Sequence, residues 1–150
     1  MRLLIVNDDG IYSPGILALA QVAREFGEVR IVAPDVERSS AGHAVTHNRP
    51  LSYRRTPIAG FEAFRVDGTP ADCVAVAFSI WEKTDVVLSG INLGANLGNS
   101  MWHSGTLAGA KQAALMESRG IALSGRFNDE PNFEKLKPHV RAALELLLPR

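Results

Sequence analysis

The run Leu3-Leu4-Ile5-Val6 opens the chain and is cut off at once by Asn7-Asp8-Asp9-Gly10. Four uninterrupted apolar residues are too few for a buried helix, and they lack the alternation of a strand with one wet face. They read as a strand buried on both faces that stops in a polar turn, which is how strands of a helix-covered parallel sheet look. Asp85-Val86-Val87-Leu88-Ser89 repeats the design and also ends in polar residues and glycine. Two such strands, separated by helical patterns, predict an α/β domain.

The intervening segments follow that alternation. Ser13-Pro14 supplies a capping hydroxyl and a first-turn proline, and Ile16, Leu19, Ala20, Ala23 and Phe26 recur at helical spacing until Gly27. Val29 to Ala33 is a second strand, followed by a long polar loop from Pro34 to Pro50. Leu51 to Val66 has strand character with a break over 56–60, which predicts two short strands or a hairpin. Thr69-Pro70-Ala71-Asp72 caps a second, well-buried helix. A third helix is expected over Thr106 to Glu117, a short strand over Ile121 to Ser124 and a terminal helix over Phe133 to Leu148.

At 150 residues and 46% hydrophobic content, one core is expected, with residues 1–150 forming a single domain. Sixteen basic residues balance sixteen acidic ones, leaving no positive field for a nucleic-acid polymer or an anionic membrane. A small anionic substrate would need a local site. The single cysteine, Cys73, excludes an internal disulfide framework and fits a reducing compartment, with the cytoplasm as the default. No apolar run approaches the roughly 20 residues that span a bilayer, and Asn7 comes too early for a signal-peptide core.

In an open parallel sheet, ligands bind beyond the carboxyl ends of the strands. That selects three loops: Asn7 to Ser13, Pro34 to Pro50, and Gly90 to Gly105. Asp8 and Asp9 place two negative charges at one strand end, where they repel unless a cation neutralises them. Asp-Asp-Gly is equally an ordinary turn signal, and position at the strand end is what favours a site. Ser39, Ser40, Asn92 and Asn96 offer oxygen donors that suit magnesium or manganese better than zinc or copper. The glycine- and asparagine-rich stretch from Gly90 to Asn99 leads to Ser104-Gly105-Thr106 at a helix start, a favourable place for phosphate. It is neither a Walker loop nor a dinucleotide fingerprint, so a kinase or dehydrogenase is disfavoured. His43 and His47 lie four apart but in an extended-looking segment, which argues against a zinc pair. His103 is a candidate proton donor or a plain hydrogen-bonding residue, and Cys73 is expected in the core.

Six ordered blocks carry a family resemblance. They are Asn7-Asp8-Asp9-Gly10-Ile11 with Pro14-Gly15; Ala33-Pro34-Asp35 with Arg38-Ser39; Gly68 to Val74; Ser89-Gly90-Ile91-Asn92; Gly94, Asn96 and Gly98; and Ser104-Gly105-Thr106. In these the chain resembles the survival protein SurE family of nucleotidases. The resemblance implies a Rossmann-like three-layer domain with a mainly parallel sheet and one divalent metal ion, Mg or Mn, per subunit. It implies hydrolysis of nucleoside 5′-monophosphates, with 3′-monophosphates and short polyphosphate as further substrates.

By matching position, Asp8, Asp9, Ser39 and Asn92 would ligate the metal, and Asn96, Ser104, Gly105 and Thr106 would bind phosphate. Asp8 and Asp9 are the catalytic candidates, either as nucleophile or as metal holders. A homodimer or homotetramer is implied as well. Ser13 stands where the family often has alanine, Ser40 where it often has glycine, and His103 where tyrosine commonly precedes the Ser-Gly-Thr turn. Family members generally continue well past this length, so the expectation is a domain lacking the family's C-terminal segments. The rival readings are a non-catalytic nucleotide- or metal-binding module and a plain interaction domain.

Overall fold

The computed structural model describes residues 1–81, 84–127 and 130–148. Its elements alternate almost throughout: β1 (Arg2–Val6), α1 (Pro14–Ala23), β2 (Glu28–Pro34), β3 (Tyr53–Arg55), β4 (Glu62–Val66), α2 (Pro70–Ile80), β5 (Val86–Leu93), α3 (Gly105–Leu115), β6 (Arg119–Gly125) and α4 (Phe133–Leu147). A 3-10 helix, Gly98–His103, precedes α3. The six strands form one sheet in the order β3-β4-β2-β1-β5-β6. All neighbours are parallel except β3, which pairs antiparallel with β4 as the edge of the expected hairpin.

The period-2 rule explains the layering. Leu3 and Ile5 of β1, with Ile31, Ala33, Val86 and Leu88 of its neighbours, point to the α1 and α4 side and join one core. Leu4 and Val6, with Val32 and Val87, point the other way and meet α2 and α3 through Cys73, Val74, Ala77 and Ala113. Both faces of the central strands are therefore dry, as their continuous apolar runs require. This is the Rossmann-like three-layer arrangement. Cys73 is fully buried in that second core, and burial pushes its thiol well above the usual range, so it serves packing.

Local signals set the element boundaries. Ser13 Oγ accepts the Ile16 N–H at 3.4 Å to start α1. At α2 the capping box is complete: Thr69 Oγ1 accepts the Asp72 N–H at 3.1 Å, and Asp72 Oδ2 accepts the Thr69 N–H at 2.9 Å. The Asp72 carboxylate also receives the Thr46 N–H and hydroxyl, which ties the long loop after β2 to the helix.

One expectation is corrected. Residues 90–93, read as loop, continue β5, because β6 keeps pairing out to Leu93 and Gly125. Between Ser89 and Asn92 the register slips by one residue. Such a bulge bends a strand and re-aims its side chains. Gly90 sits at the bend with φ of +140°, and a Cβ there would meet the Leu123 carbonyl oxygen at 2.2 Å. No described helix is long and apolar enough to cross a membrane.

Candidate active site

The chain leaves β1 for β2 on one side of the sheet and later crosses to β5 on the other, so the strand order reverses between β1 and β5. A crevice opens outside the carboxyl ends of the strands at such a switch point. A cleft of about 340 Å³ is lined by Asp8 and Asp9 from the turn after β1, Ser39 from the loop after β2, Asn92 from β5, and Asn96 and Ser104 from the approach to α3. Gly105 and Thr106 lie behind Asp8 and do not line the opening.

The turn after β1 is built by Asn7. Its side chain is fully buried, and its Nδ2 donates to the Gly10 carbonyl at 2.9 Å and to Ser13 Oγ at 2.8 Å. Ser13 thus serves both the turn and the α1 cap. The N-terminus of α3 presses on the same turn. Thr106 Oγ1 donates to Asp8 Oδ1 at 2.8 Å, and a Cβ on residue 105 would stand 2.8 Å from Asp8 Cβ. Only glycine allows that approach.

Each proposed metal ligand is held by a hydrogen bond that leaves oxygen lone pairs for a cation. Asp8 uses Oδ1 on Thr106, Asp9 uses Oδ2 on the Leu93 N–H at 3.2 Å, and Asn92 donates Nδ2 to the Gly94 carbonyl at 2.8 Å. Ser39 Oγ spends its proton on Glu37 Oε1 at 2.5 Å and keeps its lone pairs. The remaining atoms are all oxygens, two of them anionic, which is a donor set for a hard divalent cation. Among the described residues no three acidic, histidine or cysteine side chains form a metal cluster.

Electrostatics point the same way. Burial pushes the Asp8 carboxyl above its usual value, against the lowering effect of the Thr106 hydrogen bonds, and the Glu37 charge adds to the rise. Burial also raises Asp9, with Asp8 and Glu37 contributing like charges. The nearby Arg38 is paired with Asp35 at 3.4 Å, and no ion pair among the described residues neutralises Asp8, Asp9 or Glu37.

The other sequence candidates fall as follows. Asn96 donates Nδ2 to Ser124 Oγ at 2.7 Å at the cleft's outer rim, and Ser104 Oγ caps α3 by accepting the Leu107 N–H at 3.1 Å. Ser40 and His103 also line the cleft, whereas His43 and His47 are exposed away from it. Ser40 has φ of 59°, the left-handed conformation that glycine adopts most readily. Sequence reasoning missed Glu37 and the stapling role of Asn7. Asn7 stood inside a quoted block and Glu37 fell between two quoted runs, but a polar loop residue shows no orientation in one dimension.

Comparison with known proteins adds the family. The sequence model described as "Survival protein SurE" matches residues 3–149. The chain belongs to the survival protein SurE family. It is 52% identical over 127 residues to 5'-nucleotidase SurE 1 of Thermus thermophilus, covering 83% of this chain and 51% of that protein. With 5'-nucleotidase SurE of Deinococcus radiodurans it shares 46% identity over 136 residues, covering 89% of this chain and 51% of the relative. The crystal structure of the SurE protein from Aquifex aeolicus superposes with a TM-score of 0.88 at 38% identity, covering 99% of this chain and 60% of that one. The chain thus spans about half the length of the curated relatives it matches. The Rossmann-like fold expected from the resemblance is shared with the Aquifex structure.

Proposed function

We propose that this chain carries the catalytic site of a divalent-metal nucleotidase that hydrolyses nucleoside 5′-monophosphates to nucleoside and phosphate, with 3′-monophosphates and short polyphosphate as further substrates. The observation that carries the reading is the convergence of four partly engaged oxygen donors on one cleft at the sheet's switch point. Family membership and relatives named as 5'-nucleotidases support it.

Asp8, Asp9, Ser39 and Asn92 would hold Mg or Mn. Such an ion supplies Lewis acidity at a phosphoryl oxygen and lowers the pKa of a bound water. The protein's own groups do the rest. The hydrogen bond from Thr106 fixes Asp8, and the Leu93 N–H fixes Asp9, so neither carboxylate has to reorganise as the phosphoryl group transfers. Asn96, Ser104 and the positive end of α3 take up phosphoryl charge in the same cleft. A water oxygen bonds to phosphorus as the ester P–O bond breaks, and the departing nucleoside oxygen needs a proton. His103, which lines the cleft, would give it.

Exposed Leu97, Met101 and Trp102 on the approach to α3 support self-association as the implied homodimer or homotetramer. One buried thiol supports a reducing, cytoplasmic setting.

The test is release of inorganic phosphate from adenosine 5′-monophosphate with magnesium or manganese. Release should vanish with a chelator, return on adding metal, and fall at least about 100-fold in Asp9→Asn. Saturable nucleotide binding without turnover at saturating metal would instead mark a binding module.

A further inference from the structure

Asp9, Glu37 and Leu93 each border two hollows. Beyond the metal-ligand cleft they wall a second one, of about 390 Å³, between the turn after β1 and the first residues after β2. Its lining is of another character. Tyr12, Val36 and Leu93 are 66%, 55% and 53% exposed around it, and Phe133 is a buried part of the wall. Large apolar side chains held open around a concavity mark a ligand surface, and this volume falls within the range of about 300–1,000 Å³ usual for small-molecule sites. The Tyr12 ring has no hydrogen-bond, ring or cation partner among the described residues.

The charges of this hollow narrow the occupant. Asp35 and Glu37 sit at its rim, and no lysine or arginine lines it. A second phosphate would be repelled there. An uncharged, flat body carrying hydroxyl donors fits, since carboxylates accept hydrogen bonds and an aromatic ring stacks. The other exposed aromatic near the cleft, Trp102, is 76% exposed, lies under the Lys111 ammonium at 5.8 Å and lines neither hollow.

Resting on the nucleotidase reading above, we propose that the second hollow receives the nucleoside of the substrate. The base lies against Tyr12 and Leu93, and the ribose hydroxyls face Glu37 and Asp35, while the phosphate occupies the first cleft. Tyr12 is then a specificity-determining residue.

The experiment compares adenosine 5′-monophosphate with ribose 5-phosphate, which keeps sugar and phosphate but lacks the base. KM and kcat, and Kd by calorimetry in the presence of manganese, are measured for the wild type, Tyr12→Ala, Tyr12→Phe and Trp102→Ala. In Tyr12→Ala the ratio of nucleotide to sugar-phosphate KM and Kd should rise about five- to tenfold, with Tyr12→Phe close to wild type. Equal weakening of both esters, an unchanged ratio, or a ratio change in Trp102→Ala in place of Tyr12→Ala would overturn the assignment. Should the wild type turn over neither ester, the nucleotidase reading fails, and the calorimetric ratio alone still decides the hollow by the same criteria.

Discussion

Asp8 combines two properties that oppose each other in the absence of metal: it is nearly buried, and it faces the charges of Asp9 and Glu37. Its folded-state pKa is raised, so the native protein holds a proton that the unfolded chain releases near pH 4. Stability from this group is complete below that value and is lost as pH rises through the raised folded-state pKa. In chelator the Asp8 contribution should therefore lower the melting temperature as pH climbs above 4. Asp8→Asn should flatten that slope and raise the melting temperature at pH 7 by about 3 °C, equivalent to about 1 kcal/mol, while abolishing stabilisation by manganese. Thermal denaturation in chelator and in metal checks both, and an Asn variant less stable than wild type in chelator would contradict the argument. At this scale the sequence was informative where two unusual residues adjoined, as in Asp8-Asp9. It was silent where a role depends on direction: Glu37 holding Ser39, or Asn7 turning inward to staple Gly10 and Ser13.

The decisive contact between elements is that of α3 with the end of β1. Gly105 and Gly109 make it possible, since a Cβ at 105 would strike Asp8 Cβ and one at 109 would come within 2.8 Å of Ser89 Oγ and 2.9 Å of Val6. Alanine is the better helix former by up to about 1 kcal/mol, so helix propensity alone predicts a stabilised Gly105→Ala. Packing predicts otherwise. The variant should keep its circular dichroism spectrum but lose at least about tenfold in manganese affinity and in phosphate release, because the end of α3 must move off the carboxylate. Unchanged affinity and turnover would show that the close approach is incidental. Most elements were readable because their ends carry chemistry, as with Ser13-Pro14 and the Thr69 to Asp72 box. The extension of β5 through Gly90 to Leu93 was not, since a bulged strand rich in glycine and asparagine imitates a loop, and its pairing with β6 is a long-range fact.

For the molecule as a whole, topology turns separate loops into one site. The crossover that carries the chain past β1 to β5 brings residues 8, 39, 92 and 104 to a common cleft from distant parts of the sequence. The nucleotidase reading turns on where the cation sits. Crystals soaked with manganese and adenosine 5′-monophosphate, with data collected at the manganese absorption edge, address it most directly. One anomalous peak per chain is expected, about 2.2 Å from oxygens of Asp8, Asp9, Ser39 and Asn92, with the phosphate between it and the start of α3. A peak held by other residues, or none in the cleft at saturating manganese, would contradict it.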